Sequence, residues 1–161
     1  MSVKAPNQVA SEVAEALKSL LGKEVQVAPA KAAEPTELVL RYVDGSGVLI
    51  SAWTFDRGLA WSLGAALTMM PADTVTEALK SGDSDGQLGE NFHEVANVLA
   101  TVPANLLSKR SVLESVTGDV NNLQRTARQM VAAGARWNVL DVVVDGYPNG
   151  RIAVSLVRET E

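Results

Sequence analysis

With 161 residues, 47% apolar and 20% charged, the chain can build one ordinary hydrophobic core, so residues 1–161 are expected to form a single domain. The absence of cysteine and the single histidine, His93, exclude disulfides, thiolate nucleophiles, cysteine-built zinc sites and any site that needs two imidazoles. A net charge of -5, with no basic cluster longer than Lys109-Arg110, removes the usual electrostatic drive toward nucleic acid.

Met1 to Ala10 carries Lys4, Pro6, Asn7 and Gln8 with no apolar run behind them, which is unlike a secretory leader, and a cytoplasmic location is expected. Val9, Val13, Leu17, Leu20 and Leu21 recur at spacings of three and four before Gly22, predicting an amphipathic helix with a glycine C-cap. Val25 and Val27 alternate with polar neighbours as a short strand, and Ala28 to Pro35 reads as a loop. Leu38 to Val43 and Gly47 to Thr54 flank Asp44-Gly45-Ser46, the composition of a β-hairpin. Asp56 is positioned to cap a helix through Leu59, Trp61, Leu63, Ala66, Leu67 and Met70, apolar on most sides and stopped by Pro71. That apolar stretch, Gly58 to Met70, is shorter than the roughly 18 residues needed to cross a bilayer, so no membrane insertion is expected.

Pro71 to Gly86 reads as a mobile connector interrupted by a helical stretch at Val75 to Lys80, and Leu88 to Leu107 as one long helix. A short strand is expected around Val112, a helix over Asn121 to Ala133, and a closing pair of strands, Trp137 to Val144 and Arg151 to Val157, around Asp145 to Gly150. Together these predict an α+β fold: a mainly antiparallel sheet built from two hairpins, with long helices packed on one face. The strand Arg151 to Val157 lacks an internal proline or lysine, and as a sheet edge it could pair two copies into a homodimer.

The helix beginning at Leu88 is the segment that speaks to function. At 100° per residue, Phe92, Val95, Leu99, Val102 and Leu106 fall within about 80° of one another and form a core stripe. Glu90, Glu94, Asn97, Thr101 and Ser108 lie about 140° round, which turns a line of acids and an amide toward solvent. An ordinary solvated helix face would have the same pattern.

Glu94-Val95-Ala96-Asn97 resembles the Glu-x-x-Asn signature of the CheC/CheX chemotaxis phosphatases. The order of elements before it, with a hairpin ending at Trp53 and a helix closing on Ala65-Ala66-Leu67-Thr68-Met69-Met70, is similar to the CheX branch over roughly Val9 to Leu107. The resemblance implies a domain that docks on a phosphorylated response-regulator receiver and hydrolyses its aspartyl phosphate. Glu94 would engage a lysine of the receiver and Asn97 would orient the attacking water, while magnesium belongs to the receiver and the chain needs no cofactor of its own. Phosphoryl transfer depends on positioning and charge neutralisation, a task that a neutral amide can share.

The chain departs from the family pattern at three places. Glu90 stands where the family has Asp or Ser, Thr101 where glycine is common, and Val120 where a downstream proline is expected. Glu90 and Thr101 would flank the docking surface, so a non-catalytic adaptor of the same fold, like the flagellar-switch relatives, stays open beside the phosphatase, as does an unrelated structural α+β protein. His93 has no partner imidazole and receives no role. Asp83, Asp85 and Gly86 do not complete a calcium loop, and Trp53, Trp61 and Trp137 read as core or interface anchors.

Overall fold

A computed structural model describes residues 5–82 and 86–157. The helix α1 (Pro6–Leu21) ends as the sequence predicts, with Gly22 at φ 64° donating its N–H to the Lys18 carbonyl. It lays Val9, Val13 and Leu17 against the core and leads into β1 (Val25–Pro29). The hairpin β2 (Leu38–Val43) and β3 (Leu49–Phe55) follows. Its turn is held by the Asp44 carboxylate, which accepts the N–H groups of Ser46 and Val48 at 2.8 and 3.0 Å. Those bonds, Val48 first, lower the pKa of Asp44.

The next helices are α2 (Arg57–Leu67), α3 (Ala72–Ser81), α4 (Gln87–Leu99) and α5 (Thr101–Leu107), and the chain closes through β4 (Val112–Thr117), α6 (Val120–Ala132), β5 (Arg136–Val144) and β6 (Gly150–Leu156). All strands join one sheet in the order β1-β5-β6-β3-β2-β4, and every pairing is antiparallel. The two predicted hairpins are its centre, and β1 and β4 its edges. Leu38, Leu40, Tyr42, Trp53 and Phe55 project from one face into the main core shared with α1, α2 and α4. Tyr42, Trp53, Phe55 and Phe92 continue one another there, with ring centroids 5.8, 6.3 and 5.0 Å apart.

Several sequence expectations are corrected. The helix expected from Leu88 to Leu107 is two helices, because Pro103 offers no N–H to the Leu99 carbonyl and crowds it, so α4 stops there. Asp56 does occupy the N-cap of α2, yet its carboxylate accepts the Arg151 N–H at 2.9 Å and ties the helix start to β6 instead. That helix ends at Leu67, short of Pro71: Met69 turns left-handed at φ 58°, and the Met70 and Met69 amides return to Ala65 and Ala66. The supposed connector is largely the helix α3, whose Val75 is fully buried. Closing strand β6 lies between β5 and β3, so it offers no edge for pairing a second copy. While α1, α2 and α4 pack on the predicted face, α6 packs on the opposite one, where buried Thr126 and Met130 meet the face carrying Val39 and Arg41. Arg41 fixes it there, donating to Glu114, Thr126 and Gln129 at 2.7 Å each.

Among the described residues, no helix is long and apolar enough to cross a membrane.

Candidate functional site

The inner face of α4 is fixed at three levels. Phe92, Val95, Ala96 and Leu99 are buried in the core, as the apolar stripe requires. Polar ties then set the helix's position: Asn91 Nδ2 donates to the Gly64 carbonyl and to Thr68 Oγ1, both at 2.9 Å, while Asn91 Oδ1 accepts from Gln87 Nε2 at 2.7 Å. Gly64 allows this approach, because a Cβ there would stand 2.7 Å from the Leu88 carbonyl oxygen. At the far end the Ala100 N–H turns back to Asn97, and the Tyr42 hydroxyl donates to the Ala96 carbonyl at 2.7 Å. Complete burial pushes the Tyr42 phenol pKa well above its ordinary value.

The outer face carries the predicted stripe. Glu90, Glu94 and Asn97 are exposed on α4, and Thr101 is exposed on the next helix, α5, across the Ala100 junction. Glu94 makes no hydrogen bond or ion pair among the described residues, which leaves its carboxylate to solvent. Asn97 lies 3.5 Å, Nδ2 to Nδ1, from His93 one helical turn earlier. When that amide nitrogen faces His93, the Asn97 carbonyl oxygen points elsewhere and can accept a hydrogen bond from water. The structure thus supplies His93 with a neighbour that sequence reading passed over, although the spacing of four residues was the available signal.

Beside the stripe opens a cleft of about 650 Å³. Glu90 and His93 of α4 line it together with Arg57 and Trp61 of α2, Leu38 of β2, and the end of β4. Arg57 and Trp61 join Glu90 through the crossing of α2 over α4, a contact across distant sequence that no local motif announces. The guanidinium of Arg57 lies over the Trp61 ring, 5.8 Å from its centroid. Glu94, Asn97 and Thr101 do not line this cleft. Of the other candidates, Trp53 and Trp61 are core residues, whereas Asp83 and Asp85 lie outside the described residues. No group of three histidine or acidic side chains placed to hold a metal occurs among the described residues.

No protein-family model matches the sequence, and a search of the curated proteins finds no match. Solved structures do match. A chain of the FliG-FliM complex from H. pylori superposes with a TM-score of 0.56 at 11% identity, covering 93% of this chain and 87% of that one. Thermotoga maritima FliY gives 0.52 at 13% identity, covering 97% and 92%. A chain of the CheX-CheY-BeF3-Mg complex from Borrelia burgdorferi gives 0.52 at 13% identity, covering 98% and 100%. The chain therefore has the fold shared by the CheC, CheX and FliM proteins. The likeness runs nearly end to end, well past the Leu107 limit of the sequence resemblance.

Proposed function

We propose that the chain is a receiver-binding domain, and that the outer face of α4 docks on a phosphorylated receiver and promotes hydrolysis of its aspartyl phosphate. The observation that carries this reading is the division of α4: an inner face held in the core, and an outer face presenting Glu94 and Asn97 together on a rigid helix. A neighbour of the same fold was crystallised in a complex of CheX with CheY, BeF3 and magnesium, which supports a receiver as the partner. In the reaction Glu94 pairs with a receiver lysine, and the Asn97 carbonyl oxygen accepts from the attacking water and aligns it with the phosphorus. The metal and the phosphorylated aspartate are the receiver's. A helix supplies the placement such positioning needs, since its packed backbone fixes where each side chain leaves the helix.

The test is loss of phosphate from a cognate receiver, followed with and without the protein. Wild type is expected to accelerate it, Asn97→Ala to abolish the acceleration while still binding, and Glu94→Gln to weaken binding. If the wild-type protein binds the phosphorylated receiver without accelerating its decay, the adaptor reading replaces the phosphatase. Two features favour that reading: Glu90 adds a second carboxylate beside Glu94, unfavourable near phosphate, and Thr101 stands exposed at the start of α5. FliM neighbours add weight, one of them crystallised with FliG. Absence of binding in every phosphorylation state overturns both.

A further inference from the structure

The cleft between α2, α4 and the end of β4 has features that receiver docking does not use. We infer that it binds a small carboxylic acid with an apolar body, the Arg57 guanidinium holding the carboxylate and the walls of Leu38, Trp61, Phe92 and Val116 covering the rest. Its volume, about 650 Å³, lies within the range of small-molecule sites.

Arg57 is the anchor. Its main-chain N–H is taken by Glu37 Oε1 at 3.0 Å, but its guanidinium makes no hydrogen bond or ion pair among the described residues. A cation–π approach to Trp61, 5.8 Å from the ring centroid, favours that position of the planar fork, which can engage a carboxylate through two parallel bonds. Gly118 keeps that fork open. A Cβ there would lie 3.3 Å from Arg57 Nη2 and 3.2 Å from the Glu37 carbonyl oxygen, and its φ is not in the left-handed region. The missing side chain at Gly118 therefore serves space, not backbone conformation.

Two further features belong to the same walls. Trp61 is 4% exposed, and its indole N–H is buried without an acceptor among the described residues, a condition that native interiors rarely leave standing. Gly86 and Gly89 bring the first turn of α4 to the cleft, and Gly86 as N-cap contributes no side-chain acceptor to that turn. Charge then selects among anions. Glu90 lines the same cleft as the cation, so a doubly charged phosphate meets repulsion that a single carboxylate meets at half strength. Leu38, Trp61, Phe92 and Val116 supply the apolar part of a mixed lining, which suits a carboxylate attached to a hydrophobic body.

Titrating the ¹⁵N-labelled full chain with 3-phenylpropionate tests the assignment. Saturable shifts are expected at the Trp61 indole N–H and at the Gly86, Gly89 and Gly118 amides, while the neutral 3-phenylpropionamide and inorganic phosphate bind at least about tenfold more weakly. Arg57→Gln should weaken 3-phenylpropionate by about tenfold or more, and Arg57→Lys, which keeps charge but loses the fork, by less. No saturable shift up to about 10 mM, far weaker than a useful site, overturns the proposal. So does equal binding of the amide, tighter binding of phosphate, or unchanged affinity in a folded Arg57→Gln variant. The readout contains no receiver, so failure here leaves the proposed function standing, and failure of the proposed function leaves this site standing.

Discussion

The two faces of α4 carry side chains of similar polarity for opposite purposes. Asn91 on the inner face is buried, and its amide is committed to Gly64, Thr68 and Gln87. Asn97, less than two turns on, is exposed and among the described residues its side chain has only His93 at 3.5 Å. Buried amides persist where every donor and acceptor has a partner, because an unsatisfied one costs about 1–3 kcal/mol. An exposed amide with unused capacity costs the fold almost nothing and remains available to a ligand. The contrast separates residues that position the helix from residues the helix positions.

The largest effect is expected where the inner face tolerates no added atom. In Gly64→Ala the new methyl would stand 2.7 Å from the Leu88 carbonyl oxygen and 3.3 Å from the Phe92 nitrogen. Both are backbone atoms, so relief requires moving α4 itself, at about 1–3 kcal/mol of stability. Chemical denaturation measures that loss. Receiver binding should fall as well, since the outer face moves with the helix, and a variant of unchanged stability would show that the α2–α4 seam yields easily.

A smaller effect is expected at Tyr42, which satisfies the Ala96 carbonyl near the end of α4. Tyr42→Phe should cost about 1 kcal/mol at neutral pH, the net worth of a typical hydrogen bond with its acceptor left behind. Burial raises the folded-state pKa of this phenol, which fixes the sign of the pH dependence. Stability from the neutral phenol is complete below the unfolded-state pKa, about 10, and declines above it, where the unfolded chain ionises and the folded chain resists. Wild type should therefore lose stability faster than Tyr42→Phe as the pH rises through that region. Parallel curves would mean that Tyr42 ionises in place.

How much of this was legible in the sequence follows from the range of the interactions. Periodicity located α1, both hairpins, the inner stripe of Phe92, Val95 and Leu99, and the outer stripe of Glu90, Glu94 and Asn97, because each depends on neighbours within a few turns. The break at Ala100 was legible in Pro103, but the apolar pattern continues across it through Val102 and Leu106, and the pattern was followed past the proline. The position of β6 inside the sheet was not legible, since the Arg151–Leu156 alternation reads the same at an edge or in the centre. Nor was the cleft: Arg57, Trp61, Glu90 and Gly118 meet only because α2 crosses α4 and β4 joins β2. Asn91 was overlooked for a related reason, as its acceptor, Gly64, is 27 residues away.

The smallest effect on folding is expected at the residues proposed to matter most for function. Asn97→Ala removes an exposed amide whose one hydrogen-bonding approach among the described residues is to His93 at 3.5 Å, and alanine is the better helix former. Its stability should stay within about 0.5 kcal/mol of wild type, on either side. Glu94→Gln should be equally mild, because the carboxylate has no partner to lose among the described residues. Thermal unfolding of the two variants beside wild type checks this directly. A drop in melting temperature comparable to that of Gly64→Ala would place Asn97 among the residues that hold α4, and the distinction between its faces would fail. Near-wild-type unfolding together with lost receiver turnover would instead separate the two roles on one helix: stability on the inner face, recognition on the outer.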